Sequence, residues 1–171
     1  IEGRAGADTL QGGADADTLQ YVNSVQGVNV NLETGAGVGG DAAGDVVSGF
    51  EILVGSLLDD TLTAENTGST LRGNDGADEL YGGTAADLLE GGARDDTVFG
   101  SLGADTIDGG DSISDYVDYS GSSAAISLDL TNNVNTGGDA QGDDISNVEY
   151  VIASIHDDIV IGSAANNLIQ G

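Results

Sequence analysis

The 171-residue sequence predicts an all-β fold, a solenoid of short parallel strands, on three observations. Residues 73–108 divide without a gap into four nine-residue units: GNDGADELY, GGTAADLLE, GGARDDTVF and GSLGADTID. Each opens on Gly, carries Asp sixth (Asp78, Asp87, Asp96, Asp105) and an aliphatic residue eighth (Leu80, Leu89, Val98, Ile107). Helix has no support, because Gly is spread throughout and no apolar stripe persists at the 3.6-residue period. Aromatic residues are scarce and Trp, Met and Pro absent, which suits a thin coil lined by Leu, Ile and Val better than a globular core.

The nonapeptide has a physical logic. Its Gly-rich first six residues form a turn, since Gly takes left-handed and close-approach geometries freely. The last three form a strand whose middle side chain points inward. Two such halves make a coil, and coils stacked about 4.8 Å apart align the aliphatic residues in an interior ladder. The same stacking is expected to set the Asp carboxylates above one another on the outside. Stacked anions repel unless a cation lies between them, and an oxygen-only site suits calcium.

Taken in order, residues 1–4 (IEGR) match the factor Xa recognition sequence and read as an expression-tag remnant, leaving 5–171 as one continuous solenoid. The alternative is that Gly3 and Arg4 open a native unit, GRAGADTLQ (3–11); GGADADTLQ (12–20) follows. The pattern breaks over 21–54. There GVNVNL (27–32) alternates as a strand with Val28, Val30 and Leu32 on one face, ETGAGVGGDAAGD (33–45) reads as a loop, and GFEILV (49–54) as a second strand. GSLLDDTLT (55–63) and AENTGSTLR (64–72) are degenerate units leading into the regular block. After Asp108 the register slips in GGDSISDYVDYSG (109–121), and Asp17–Gly73 then recurs, gapless, as Asp115–Gly171. The constant offset of 98 marks tandem copies, whose irregular segments are expected to form distorted coils that still add strands.

Composition excludes several functions. The formal charge of −27 arises from thirty acidic residues against Arg4, Arg72 and Arg94, with no Lys. Nucleic acid, anionic membranes and polyanionic glycans are disfavoured, because phosphate or carboxylate recognition needs clustered cations. Without Cys there is neither disulfide nor thiolate site. No apolar run approaches the roughly 20 residues of a membrane span, and no signal peptide or initiator Met is seen, so the chain reads as part of a larger protein.

On its tandem nonapeptides the chain resembles the RTX family of calcium-binding exoproteins of Gram-negative bacteria. The likeness is close at 73–108, fair at 3–20 and 55–63, and weak at 64–72 and 153–170. It implies a right-handed parallel β-roll with several calcium ions between stacked turns. Each ion would bridge one loop and the loop two repeats later: 73–78 to 91–96, 82–87 to 100–105, and 91–96 to 109–114. Carried over, Asp78, Asp87, Asp96 and Asp105 are the foremost ligands. Gly73, Asp75, Gly82, Gly91, Gly100, Gly109 and Asp111 shape the loops and offer further oxygens, and Asp8, Asp17, Asp60 and Asp158 are second-rank candidates. Ala85 and Arg94 stand where the repeat has its fourth-place Gly, and Arg94 would bring a cation near the metal.

The bland reading of these Asp residues is a solvated acidic surface, which strict nine-residue spacing opposes. For GGDAAGD (39–45) and GGDAQGD (137–143) two readings stand level. Asp41, Asp45, Asp139 and Asp143, with Glu51 and Glu149, form either added calcium loops or turns whose Asp side chains cap backbone amides. His156, the only His, lacks partners for catalysis or zinc, and no nucleophile, metalloprotease or phosphate-loop motif occurs. The function implied is a non-enzymatic module that folds on binding calcium outside the cell, as part of an exported protein. The alternative is a polysaccharide- or surface-binding repeat domain like the modules attached to alginate epimerases.

Overall fold

The computed structural model describes residues 1–171. Its first eight strands are β1 (Thr9–Gln11), β2 (Thr18–Gln20), β3 (Asn29–Asn31), β4 (Ala36–Val38), β5 (Val46–Ser48), β6 (Ile52–Val54), β7 (Thr61–Thr63) and β8 (Thr70–Asp75). The regular block supplies β9 (Glu79–Tyr81), β10 (Leu88–Ala93), β11 (Thr97–Phe99) and β12 (Thr106–Gly110). The second copy adds β13 (Tyr116–Asp118), β14 (Ser127–Asp129), β15 (Asp144–Ser146), β16 (Tyr150–Ile152), β17 (Ile159–Ile161) and β18 (Leu168–Gln170).

Successive nonapeptides fall in opposite sheets, so each strand pairs in parallel with the strand two repeats on. A ten-stranded sheet runs β1-β5-β4-β3-β7-β9-β11-β13-β16-β18, a six-stranded sheet runs β15-β12-β10-β8-β6-β2, and β14 pairs with β17 alone. This is the parallel stacking expected of a β-roll. The middle residue of each strand points inward and makes two buried ladders. One is Leu53, Leu71, Leu89, Ile107 and Ile145; the other is Leu62, Leu80, Val98, Val117 and Val151. Each fully buried Leu or Ile contributes about 1.5–3 kcal/mol through removal from water. On the outer face, in-register neighbours stack as rings: Tyr81 on Phe99 at 4.2 Å and Tyr116 on Tyr150 at 4.5 Å.

Val28, Val30 and Leu32 are all buried, as their alternation predicts. The stretch read as a loop, 33–45, instead contains β4, antiparallel to both β3 and β5, followed by a 3-10 turn at Gly40–Ala42. Gly37 permits the close approach, since a Cβ there would lie 2.6 Å from the Ala42 carbonyl oxygen. The second copy has Asn135 at that place and no counterpart of β4 beyond a single bridge, Ser127 to Thr136. There the Asn135 amide supplies the missing bonds, donating to Asp143 O (3.0 Å) and accepting from Asp129 N–H (2.9 Å).

The internal repeat also reaches further toward the N-terminus than a constant offset reveals. Thr9 pairs with Val46 as Thr106 pairs with Asp144, so the offset is 97 before the register slip and 98 after it. GRAGADTLQ (3–11) is thereby equivalent to GSLGADTID (100–108), with one inserted residue in 109–114. Residues 1–3 continue the stack: Gly3 N–H donates to Gln20 O (2.9 Å) and Gln20 N–H to Ile1 O (3.0 Å). No helix is long and apolar enough to cross a membrane.

Candidate metal-binding loops

The sixth-place Asp side chains turn inward, which corrects the expectation that they line the outside. Asp60, Asp78, Asp87, Asp96 and Asp105 are all buried. The cause lies in the backbone. At the turn-to-strand junction an N–H points along the stack with no strand carbonyl opposite it, and a buried amide needs an acceptor. The Asp one coil later supplies it. Asp60 N–H donates to Asp78 Oδ1 (2.8 Å), Asp78 N–H to Asp96 Oδ1 (2.8 Å), and Asp96 N–H to Asp115 Oδ1 (2.9 Å). On the opposite flank Ser69 N–H donates to Asp87 Oδ1 (2.6 Å), Asp87 N–H to Asp105 Oδ1 (2.9 Å), and Asp105 N–H to Asp143 Oδ1 (3.0 Å).

The second carboxylate oxygen divides these residues into two groups. In Asp60, Oδ2 accepts from Ser56 N–H (2.6 Å), and in Asp87 it accepts from Gly83 N–H (2.7 Å). In Asp78, Asp96, Asp105 and Asp115 it is buried and meets no donor at all. Burial pushes these carboxyls up, Asp78 to about 8, Asp96 and Asp105 to about 7, and Asp115 to about 6. No basic side chain relieves them: the two ion pairs, Arg4–Glu2 and Arg72–Glu90, lie at the surface, and Arg94 is exposed.

Oxygen from the next coil comes to the same points. A Cβ on Gly73 would lie 2.1 Å from Asp78 Oδ2 and 2.5 Å from Gly91 O; one on Gly91 would lie 2.5 Å from Asp96 Oδ2 and 2.4 Å from Gly109 O. The first-place Gly therefore leaves space in which carboxylate and carbonyl oxygens converge. No three acidic or His side chains come together, so a metal held here would need backbone carbonyls among its ligands. A hard cation with flexible oxygen coordination fits that donor set.

The profile described as "RTX calcium-binding nonapeptide repeat (4 copies)" matches residues 1–20, 54–89 and 81–112. These are RTX repeats, and they cover a little under half of the chain. No curated protein matches the chain. The chain is thus a calcium-binding repeat module, and its buried, unpaired carboxylate oxygens are suited to a hard divalent cation.

The other candidate residues distribute unevenly over the RTX framework. Gly73, Gly91 and Gly109 are buried at the coil contacts, whereas Gly82 and Gly100 are half-buried, Gly100 lying against the Tyr119 ring. Asp75 is exposed at the end of β8. Asp111 is also exposed; its N–H donates to Gly92 O (2.7 Å) while its side chain stands outside the ladder. Asp115 occupies the rung instead, displaced by the inserted residue. Its signal was present in the sequence, because Asp115-Tyr116-Val117 keeps the Asp-x-aliphatic spacing of the repeat. Asp8 and Asp17, in the first coil, donate their N–H groups to Asp45 Oδ1 (2.8 Å) and Glu51 Oε2 (2.9 Å). Asp158 is half-buried and accepts from Ile126 N–H (2.8 Å) and from Ser154 Oγ.

In the GGDAxGD loops the geometry favours amide capping. Asp45 is buried, and its two oxygens accept from Asp8 N–H and from the Tyr21 hydroxyl (2.8 Å). Asp143 repeats this with Asp105 N–H and the Tyr119 hydroxyl. Both tyrosines are wholly buried, and burial, with the adjacent carboxylate, raises their phenol pKa values. Glu51 and Glu149 likewise accept from Asp17 N–H and Asp115 N–H. Asp41 and Asp139 only receive support, their N–H groups donating to Ser24 Oγ (3.0 Å) and Ser122 Oγ (3.1 Å).

Proposed function

We propose that the chain is one continuous solenoid that folds when calcium binds between its coils, and that it serves outside the cell as a non-catalytic folding segment of a larger exported protein. The observation carrying this reading is the set of four buried carboxylate oxygens without donors, at Asp78, Asp96, Asp105 and Asp115. A buried, unpaired carboxylate is among the most destabilising groups a fold can hold. Here several are stacked in a chain of net charge −27. Those four residues would hold the ions, with carbonyls such as Gly91 O and Gly109 O. Bound calcium supplies the positive charge that the sequence lacks. Metal binding and folding then form one equilibrium, set off where calcium is abundant. Extracellular calcium modules have dissociation constants of roughly 10⁻⁴ to 10⁻³ M, far above cytoplasmic calcium, so the chain stays unfolded until export.

The test is far-ultraviolet circular dichroism across a calcium titration, with ion stoichiometry from calorimetry. A cooperative gain of β-structure at submillimolar to millimolar calcium is expected, absent in chelator and weak with magnesium. An equally folded chain in chelator would sink the proposal.

A further inference from the structure

We infer that calcium loads this molecule one-sidedly, in an unbroken column along one edge at Asp78, Asp96 and Asp115, while the opposite edge takes only a solitary ion at Asp105. The inference rests on calcium binding between coils and deepens it, by assigning the ions to an edge and carrying the column past the register slip.

The solenoid has two edges that bear turns. On one, turns lead into the ten-stranded sheet, and Asp78, Asp96 and Asp115 immediately precede β9, β11 and β13. On the other, turns lead into the six-stranded sheet, with Asp87, Asp105 and Asp143 preceding β10, β12 and β15. The backbones of the two edges differ. On the first, β8, β10 and β12 run on through the first-place glycines, reaching five or six residues where every other strand has three. The left-handed residues that follow those glycines, Asn74, Gly92 and Gly110, stand in register, Gly92 pairing with both of the others. The turn is therefore the same from coil to coil. Each glycine carbonyl meets the carboxylate of the coil before it, Gly91 O beside Asp78 Oδ2 and Gly109 O beside Asp96 Oδ2, around the open sides of Gly73 and Gly91.

The register slip does not end this series. A Cβ on Gly109 would lie 2.0 Å from Asn147 O and 2.7 Å from Asp115 Cβ, so a carbonyl of the following coil comes to Asp115 as well. Asp115 lies outside the matched repeats, yet its Oδ2 is buried and meets no donor, like those of Asp78 and Asp96. All three residues are 0–1% exposed. The column stops at groups of the chain itself. Before it, both Asp60 oxygens accept from Ser56, Oδ2 from the N–H (2.6 Å) and Oδ1 from the hydroxyl (2.8 Å). After it, Glu149 takes the place of the Asp and accepts the Asp115 N–H.

The second edge is filled by protein. Gly83 N–H closes the turn onto Asp87 Oδ2, and a Cβ on Gly82 would meet Ser101 Cβ at 3.5 Å with no carbonyl oxygen nearer. At the next turn the Tyr119 ring stands 2.0 Å from where a Cβ on Gly100 would lie, and its hydroxyl completes Asp143. Asp105 keeps a free oxygen, but the Asp residues before and after it on this edge are already satisfied. On the first edge neighbouring sites share a coil. An ion that orders one turn leaves less to order at the next, and binding there is cooperative.

Anomalous scattering from crystals of the full chain grown in calcium places each ion on its edge without any substitution. Sites are expected beside Asp78, Asp96 and Asp115, and a lone one beside Asp105. An ion held by Asp87 or Asp143, or none at Asp115, overturns the inference while calcium-coupled folding stands; a folded chain with no ion at all removes both. In solution, Asp115→Asn and Asp105→Asn each keep the oxygen that accepts the ladder amide. Calorimetry should count one ion fewer in each variant than in the parent chain. Only Asp115→Asn should weaken the ions that remain, raising the calcium midpoint by circular dichroism at least about five-fold, against under about two-fold for Asp105→Asn. Equal shifts also overturn the inference, and the diffraction result decides it where a variant does not fold.

Discussion

Asp105 and Asp143 are successive rungs of one ladder, and they end differently. Each accepts a backbone N–H from the coil before it. The second oxygen of Asp143 receives the Tyr119 hydroxyl, whereas that of Asp105 receives nothing. Tyr21 repeats the arrangement at Asp45. The backbone thus asks the same service of every rung, and the demand for an ion depends on whether a neutral donor reaches the remaining oxygen. No such donor reaches Asp78, Asp96, Asp105 or Asp115, whereas Asp45 and Asp143 in the GGDAxGD loops each receive a tyrosine hydroxyl.

The largest expected effect contrasts two double variants. Asp78→Asn with Asp96→Asn keeps an oxygen for each ladder amide but removes the charge, and should abolish calcium-induced folding at millimolar calcium by circular dichroism. Asp45→Asn with Asp143→Asn should fold in calcium with an unchanged ion count by calorimetry. Next, Gly91→Ala places a methyl 2.4 Å from Gly109 O and 2.5 Å from Asp96 Oδ2, and should cost more than about 2 kcal/mol in a denaturant titration with calcium. Gly121→Ala, with open space around it, should change stability by under about 0.5 kcal/mol. Tyr119→Phe leaves the buried Asp143 oxygen without its donor and should cost about 1–3 kcal/mol in the same denaturant titration.

The subtlest contrast is with pH. The folded-state carboxyls at Asp78, Asp96, Asp105 and Asp115 lie between about 6 and 8, above an unfolded value near 4. The folded chain without calcium therefore binds protons more tightly than the unfolded one. Its stability is greatest below about pH 4 and is lost as pH rises through 6 to 8. Calcium needs the deprotonated form, so the calcium midpoint should move to higher concentration as pH falls from 8 to 5. Ellipticity measured with and without calcium at each pH should show the two trends in opposite directions.

Much of the coil was legible in the sequence. Gly at the first place, Asp at the sixth and an aliphatic at the eighth give the turn, the strand and the interior ladder, and Val28, Val30 and Leu32 announced their buried face. The inward turn of the Asp side chains was not legible, because stacking carboxylates by spacing alone overlooks the amide at each junction that has no strand partner. Asp115 was hidden by one inserted residue, although its distance from Val117 marks it. β4 depends on the absence of a side chain at Gly37, a contact between segments that no local pattern encodes. Tyr21 and Tyr119 carried one available signal: both copies of the long repeat retain them at the same offset.

The amide-to-carboxylate ladder gives the molecule a grain. From Asp60 to Asp105 each junction amide is completed by the coil that follows it and not by the coil before. Trimming from the N-terminus therefore bares acid groups that water hydrates readily, while trimming from the C-terminus strips acceptors from main chain already laid down. A chain clipped at its tail should fray backward coil by coil, and one clipped at its head should simply be shorter.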